Sequence, residues 1–183
     1  TPEFLCAMFN DVDQSEYAPV FEDCRLFHVP VLPPDINHSQ YYFTVEGHGI
    51  RYGYKGISGI GEANRAQMEM IFHNRRGGYT SVQDFLLKNI CGSGQGGQPD
   101  NISFPIQRGT LEILAASGAF DSLCNDRRSV AVFLNGFLPE KAFSSLAAYT
   151  RALEQDPLEP GRPDIRYNFL KEMDLMGEIL SVD

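Results

Sequence analysis

The spacing of apolar residues along the chain predicts a mostly helical protein. Thr1-Pro2-Glu3 is typical of a helix start, because it combines a capping hydroxyl, an early proline and a first-turn acid. Phe4, Leu5, Met8 and Phe9 then recur on one helical face. The same reasoning predicts further helices that begin near Ala18, Glu62, Ser81, Gln107, Arg127 and Tyr167.

The buried faces of two of these helices can be predicted from the same spacing. In the second helix we expect burial of Val20, Phe21, Cys24 and Phe27. In the helix that follows Glu62 we expect burial of Ala63, Ala66, Met70 and Ile71.

One short stretch predicts strands instead of helices. Tyr41–Val45 is aromatic and β-branched, Gly47-His48-Gly49 supplies a turn, and Ile50–Tyr54 is the expected return strand. The glycine-rich residues 91–100 and the proline-rich residues 155–164 are predicted to be loops. The predicted fold class is therefore mainly α with a small β-hairpin.

Composition narrows the class of protein. Hydrophobic residues make up 43% of the chain, which is enough for a packed core, and no stretch approaches the length of a membrane span. The four cysteines, Cys6, Cys24, Cys91 and Cys124, lack the usual zinc spacing and indicate a reducing, cytoplasmic protein. Because the chain opens with Thr1 and not with methionine, we expect it to be a piece of a longer protein.

Charge is distributed unevenly along the chain. The net charge of −9 argues against a protein coated with phosphate-binding residues, but residues 50–90 alone carry a net charge of +3. Any contact with nucleic acid is therefore expected to begin in that stretch.

The most informative motif lies in this basic stretch. Ile57-Ser58-Gly59-Ile60-Gly61, followed by a helix, is typical of a helix-hairpin-helix, in which exposed amides at a helix start can hold a DNA phosphate. Lys55 and Arg65 lie close enough in sequence to add positive charge. The same residues also fit a second interpretation, a tight turn between helices in which the glycines are needed only for steric reasons and no DNA is bound.

A second, degenerate version of this turn lies at Leu114–Ala119, which suggests a duplicated unit. No dinucleotide fingerprint, P-loop or catalytic triad is present. The four histidines are scattered, and the Asp11-Val12-Asp13 pair is expected to lie in a solvated loop and not to hold Mg²⁺. The sequence predicts no catalytic residue and no metal site.

Several motifs in order resemble the alpha (catalytic) subunit of bacterial DNA polymerase III. They occupy residues 21–25, 31–37, 43–46, 50–62, 78–85 and 111–123, with a looser likeness over 167–181. The resemblance implies three parts: the end of a fingers-like region at 1–45, a tandem helix-hairpin-helix module at 46–135, and a linker with a helix at 136–183. The family positions that carry over are Ser58, Gly59, Ile60, Gly61, Ser117, Gly118 and Ala119.

The resemblance also implies a function. The parent protein would be a DNA-directed DNA polymerase whose palm domain binds Mg²⁺, and that palm lies outside these residues, so no cofactor is expected here. This segment would grip the backbone of the primer–template duplex without catalysing synthesis. Sliding-clamp binding is not expected, since the one candidate motif, at Gln155–Leu158, lacks an aromatic residue.

Two alternative functions fit the sequence. The hairpins could brace other polymerase domains without touching DNA, as the acidic total suggests. The chain could also be a helix-hairpin-helix repair nuclease or glycosylase, although it shows no supported catalytic Asp or Lys after the hairpin.

Overall fold

The computed structural model describes residues 1–92, 102–138, 146–177 and 180. Its α-helices are α1 Pro2–Asp11, α2 Tyr17–Leu26, α3 Arg65–Asn74, α4 Val82–Lys88, α5 Arg108–Ala116, α6 Arg127–Phe137, α7 Leu146–Gln155 and α8 Ile165–Met176. Its strands are β1 Val31–Leu32, β2 Thr44–Glu46, β3 Gly49–Arg51, β4 Cys91–Gly92 and β5 Ile102–Ser103. The predicted class, mainly helical with a small β element, is confirmed.

The predicted β-hairpin is part of a three-stranded sheet. β2 pairs antiparallel with β3, and β1 pairs parallel with β3 on its other side. Glu46 faces Gly49 across the turn, so the hairpin loop holds only Gly47 and His48. Gly47 has a φ of 61°, which is the left-handed conformation that glycine adopts without strain.

A cluster of aromatic rings joins the first two helices to this sheet. Phe9 of α1 stacks on Phe43 with ring centres 4.7 Å apart, and Tyr17 and Phe21 of α2 meet Phe9 edge-on. Tyr52, directly after β3, packs against Phe43 with ring centres 4.7 Å apart. The aromatic cluster therefore belongs to one core that crosses the predicted boundary at 45–46.

Both predicted boundaries fall inside regular elements. The boundary at 45–46 lies within β2 and that at 135–136 lies within α6. One continuous hydrophobic cluster extends from Leu5 to Met176. Among the described residues the packing therefore runs across both boundaries, and the division into three parts stays a prediction.

The start of α1 and the position of α2 agree with the predictions from apolar spacing. Two residues that were predicted to be buried are exposed. Phe4 is 65% exposed and Phe27 is 60% exposed. In α1 the buried face is centred on Leu5, Cys6 and Phe9, which turns Phe4 outward. Phe27 lies just beyond the last residue of α2, where the helical spacing no longer applies.

The helix after Glu62 also buries a different face from the one predicted. Residues 62–64 form a 3₁₀ turn, and α3 begins only at Arg65. Ile71 is buried as predicted, but Ala63 and Ala66 are exposed and Met68 is buried in their place. A 3₁₀ turn has fewer residues per turn than an α-helix, so it changes which positions face the core.

Other local predictions have mixed outcomes. Helix α4 begins next to Ser81, as predicted, and the Ser81 hydroxyl caps it by accepting a hydrogen bond from the Asp84 amide at 3.0 Å. Helix α7 was not among the predicted helices. The glycine-rich loop predicted for residues 91–100 lies outside the described residues from position 93 onward.

A buried ion cluster joins α5, α6 and α8. Arg127, at the start of α6, is 2% exposed and pairs with Asp121 at 2.6 Å and with Glu172 of α8 at 2.7 Å. Its Nη1 also donates to the carbonyls of Ala116 and Asn168. The guanidinium thus fixes the relative positions of three helices.

Gly118 packs directly on this guanidinium. It has a φ of 88°, and a Cβ at this position would overlap the guanidinium and come within 2.8 Å of Asp121 Oδ2. Both the backbone conformation and the contact therefore require glycine.

Within the parts of the chain that the structure describes, no helix combines the length and apolar character needed to cross a bilayer.

We predict that Gly118→Ala lowers the free energy of unfolding by about 2–4 kcal/mol, since it strains the backbone and displaces a buried cation. Urea denaturation followed by circular dichroism measures the change. Gly136→Ala is the matched control: Gly136 lies in α6 with open space around its Cα, so we expect a gain of up to about 1 kcal/mol. Equal stability of wild type and Gly118→Ala would contradict the packing described here.

We also predict that Asp126 stabilises the fold in a pH-dependent way. Burial alone would raise its pKa, but hydrogen bonds from Ser129, Gly161 and Arg128 hold the pKa of Asp126 below its ordinary value. The ionised carboxylate therefore stabilises the fold above the ordinary pKa of about 3.9, and this contribution is lost as pH falls through the lowered value.

Asp126→Asn should consequently cost about 1–2 kcal/mol at neutral pH, with a smaller difference from wild type in acid. Urea unfolding curves at neutral and acidic pH test this. Asp156→Asn, at an exposed aspartate, is the control. A difference that is the same at both pH values would show that the charge of Asp126 is not responsible.

Candidate nucleic-acid interface

The predicted hairpin motif forms an exposed turn held by two buried isoleucines. Ile57 and Ile60 are 1% and 3% exposed, whereas Ser58, Gly59 and Gly61 between and after them face solvent. Ile60 N donates to Ile57 O at 2.9 Å and closes the turn. The motif therefore presents its backbone outward, as a helix-hairpin-helix contact requires.

The segment before the turn differs from the helix that the motif implies. Only a 3₁₀ turn, Tyr54–Gly56, precedes Ile57. A Cβ at Gly56 would come within 2.8 Å of the Phe43 ring, and Gly53 lies against the backbone at Tyr42 and Phe43. Close packing under the sheet therefore accounts for these two glycines.

Gly59 and Gly61 have separate roles in the turn. Gly59 has a φ of 91°, and a Cβ there would come within 2.7 Å of Ile113 in α5. Gly61 has an ordinary φ of −109° and open space around it. It stands at the N-cap position of the 3₁₀ turn 62–64, where its amide donates to Asn64 Oδ1 at 3.2 Å.

The amides of the turn divide into bonded and unbonded groups. Ser58 N donates to Leu175 O of α8 at 2.7 Å, so one amide of the motif is already used. In the described part of the chain, no hydrogen-bond acceptor is found for the amides of Gly59, Glu62 and Ala63. These three N–H groups, all on exposed residues, are the ones that an anion could approach.

The two predicted cations lie beside the turn, each with partners of its own. Lys55 Nζ donates to Asn10 O at 2.8 Å and stands 5.8 Å from the centre of the Tyr42 ring. The Arg65 guanidinium stands 5.3 Å from the same ring and donates to Glu69 at 2.7 Å and Glu62 at 3.2 Å. Those carboxylates raise the pKa of Arg65.

An aromatic pair between the cations was missed by sequence reasoning as part of the site. Tyr42 is 41% exposed and accepts a hydrogen bond from Arg65. The hydroxyl of Tyr41 donates to Glu62 at 3.2 Å, and burial followed by this bond raises the pKa of Tyr41 to about 12. Both tyrosines were assigned only to a strand, although aromatic residues near basic ones are a common feature of nucleic-acid surfaces.

The other basic residues of the same stretch contribute differently. Arg75 is half-buried and donates to the carbonyls of Ser39 and Ile36, and burial lowers its pKa. Arg76 is exposed next to it.

The second predicted turn does not present its backbone to solvent. Ser117, Gly118 and Ala119 are all buried, and their amides donate to the carbonyls of α5. Ala119 O accepts from Ile36 N at 2.6 Å, and Gly118 faces Arg127. In this structure residues 117–119 therefore have no amide to offer a phosphate, and we leave them out of the proposed contact.

The remaining candidate sites show no metal geometry. Asp11 and Asp13 are both exposed, at the end of α1 and before a 3₁₀ turn. Across the described residues, no group of three or more His, Cys, Asp or Glu side chains is placed to hold a metal ion.

The candidate clamp motif lies apart from the hairpin. Residues 155–158 line one side of an open groove of about 600 Å³, and α6 lines the other. Residues 155–158 include no aromatic side chain. That this segment does not bind the sliding clamp stays a prediction.

The exposed glycine turn is the feature that a helix-hairpin-helix motif requires, and comparison with known proteins finds that motif in this part of the chain. A family model described as a helix-hairpin-helix motif matches residues 28–96. The chain is 29% identical to the DNA polymerase III subunit alpha of Thermus aquaticus over 170 residues, which is 88% of this chain and 13% of that protein.

Further relatives carry the same name. Identity is 32% over 133 residues with the subunit of Mycobacterium tuberculosis and 36% over 126 residues with that of Neisseria meningitidis, or 70% and 66% of this chain. The chain spans only 10 to 13% of the length of these relatives. The resemblance to the alpha subunit of bacterial DNA polymerase III is thereby confirmed for this segment.

We predict that amide hydrogen exchange separates the two groups of amides in the turn. Ser58 and Ile60 should exchange at least about tenfold more slowly than Gly59, Glu62 and Ala63, because only the first two are hydrogen bonded. Exchange followed by two-dimensional NMR gives each rate after correction for intrinsic chemistry. A protected Gly59 amide would show that the turn is closed to ligands.

Proposed function

We propose that this chain is a non-catalytic segment of a DNA polymerase III alpha subunit that binds the backbone of duplex DNA without sequence preference. The observation that carries the proposal is the exposed turn 57–61, with three unbonded amides at the start of a helical segment. Such amides hold a phosphate through hydrogen bonds and the positive end of the helix dipole.

The position of charge supports the same function. Lys55 and Arg65 flank the turn, within the stretch 50–90, which carries a net charge of +3 in a chain whose total is −9. Contacts of this kind go to phosphates and carry no sequence information, so affinity should fall steeply with salt. The proposal extends to the parent protein: template-directed DNA synthesis, with primer–template DNA and other polymerase domains as partners in a bacterial cytoplasm. The likeness to the alpha subunits supports this extension.

A structural brace is the second candidate function. Apolar residues of α8 are exposed on successive turns: Ile165, Phe169, Leu170 and Met173. The same helix receives the hydrogen bond from Ser58, and the second hairpin is already buried. These features favour a segment that packs against other domains, and the experiment below separates the two candidates.

Gly61 offers a sharp test, because its backbone and surroundings accept a side chain. Aspartate is a favourable N-cap residue, so Gly61→Asp should fold as stably as wild type, but it places a negative charge where the phosphate would bind. Gly61→Asn is the matched control, with the same shape and capping ability and no charge.

We predict that Gly61→Asp weakens binding to a short fluorescein-labelled duplex about tenfold or more, while Gly61→Asn stays within about threefold of wild type. Fluorescence anisotropy at several salt concentrations measures both affinity and its salt dependence. Salt-independent binding, or equal affinities of the Asp and Asn variants, would exclude a phosphate contact at this turn and leave the brace.

A further inference from the structure

Arg65 is the first residue of α3, and it forms ion pairs with two carboxylates. Its Nε donates to Glu69 Oε1 at 2.7 Å, and its Nη1 donates to Glu62 Oε1 at 3.2 Å. Its Nη1 also donates to the Tyr42 hydroxyl at 3.3 Å. Both Nε and Nη1 of the guanidinium therefore have partners within the protein.

All three charged groups remain accessible to solvent. The side chains of Arg65, Glu62 and Glu69 are 39%, 71% and 49% exposed. Exposed ion pairs contribute little net stability, because water and salt compete with them. A DNA phosphate can therefore replace either carboxylate as the partner of Arg65 without loss of fold.

Glu62 contributes to this arrangement in two ways. Its amide is one of the three unbonded amides of the turn, and its carboxylate accepts from Arg65 Nη1 at 3.2 Å. The hydroxyl of Tyr41 donates to its Oε2 and fixes the carboxylate there. A phosphate that reaches the amides must therefore meet a fixed negative charge.

The aromatic rings keep Arg65 in place whichever anion it pairs with. Its guanidinium stands 5.6 Å from the centre of the Tyr41 ring and 5.3 Å from that of Tyr42. A cation over two ring faces is held by the rings as well as by its anionic partner. Exchange of the anion therefore needs no large movement of the arginine.

From this geometry we propose that Glu62 and Glu69 compete with the DNA phosphate for Arg65 and so limit the affinity of the hairpin for DNA. This inference rests on the proposed DNA contact and adds its regulation. The two carboxylates make the contact weak and easily exchanged, which suits a protein that must move along a duplex while remaining bound to it.

The test combines charge removal with a double-mutant cycle. Anisotropy with the short labelled duplex is measured for the wild-type chain, for Glu62→Gln with Glu69→Gln, for Arg65→Gln, and for all three changes together. Glu154→Gln with Asp156→Asn, at two exposed carboxylates away from the hairpin, controls for the change of two in net charge. Circular dichroism and thermal unfolding confirm that each variant is folded.

We expect the paired Glu→Gln variant to bind about three- to tenfold more tightly than wild type at low salt, with a smaller gain when Arg65 is also replaced. The control with Glu154→Gln and Asp156→Asn should bind with nearly the affinity of wild type. Equal gains with and without Arg65 would overturn competition, since only general repulsion would then be acting.

The remaining outcomes separate this inference from the function on which it rests. Salt-sensitive binding by wild type, with no gain in the paired variant, would overturn competition and leave the DNA contact intact. Failure of both the wild-type chain and the paired variant to bind would overturn both proposals.

Discussion

The buried guanidinium of Arg127 is the interaction on which the arrangement of the second half of the chain depends. It holds Asp121 after α5 and Glu172 in α8, and Gly118 leaves the space that it needs. A buried cation is costly unless all its donors are paired, and loss of one partner leaves an uncompensated charge in the interior. Glu172 also accepts from the amide of Leu180, so the network extends past the end of α8. With α8 fixed in this way, Leu175 is in position to bind Ser58, and the exposed hairpin is anchored from behind.

The two glycine turns show that burial, and not sequence pattern, decides whether a hairpin can contact a ligand. Both turns have a glycine with positive φ, Gly59 and Gly118. At the second turn, however, the amides are bonded within the protein and Arg127 covers the glycine. At the first turn the isoleucines are buried and the backbone between them is exposed. The same local geometry therefore serves packing at one place and a surface at the other.

Sequence reasoning could predict those features that depend on neighbouring residues. The cap at Ser81, the strands on either side of Gly47 and the exposed turn at Gly59 are all of this kind. It could not predict which face of a helix is buried when the register shifts, as at Ala63 and Ala66 after the 3₁₀ turn. It also could not predict that Ser117–Ala119 would be covered, because Ile36 and Glu172 are distant along the chain. The carboxylates around Arg65 are near in sequence, but their pairing depends on the position of Tyr41 and Tyr42.

The carbonyl of Leu175 joins three distant segments, because it accepts both from Ser58 N and from the side chain of Gln14, each at 2.7 Å. It lies in the last turn of α8, just before Gly177 ends the helix in a left-handed conformation. Fraying of that turn would release the Ser58 amide as one more donor and at the same time loosen the support of the hairpin. A change at the end of α8 would therefore alter two properties of the hairpin together: the number of its free amide donors and the rigidity with which they are held.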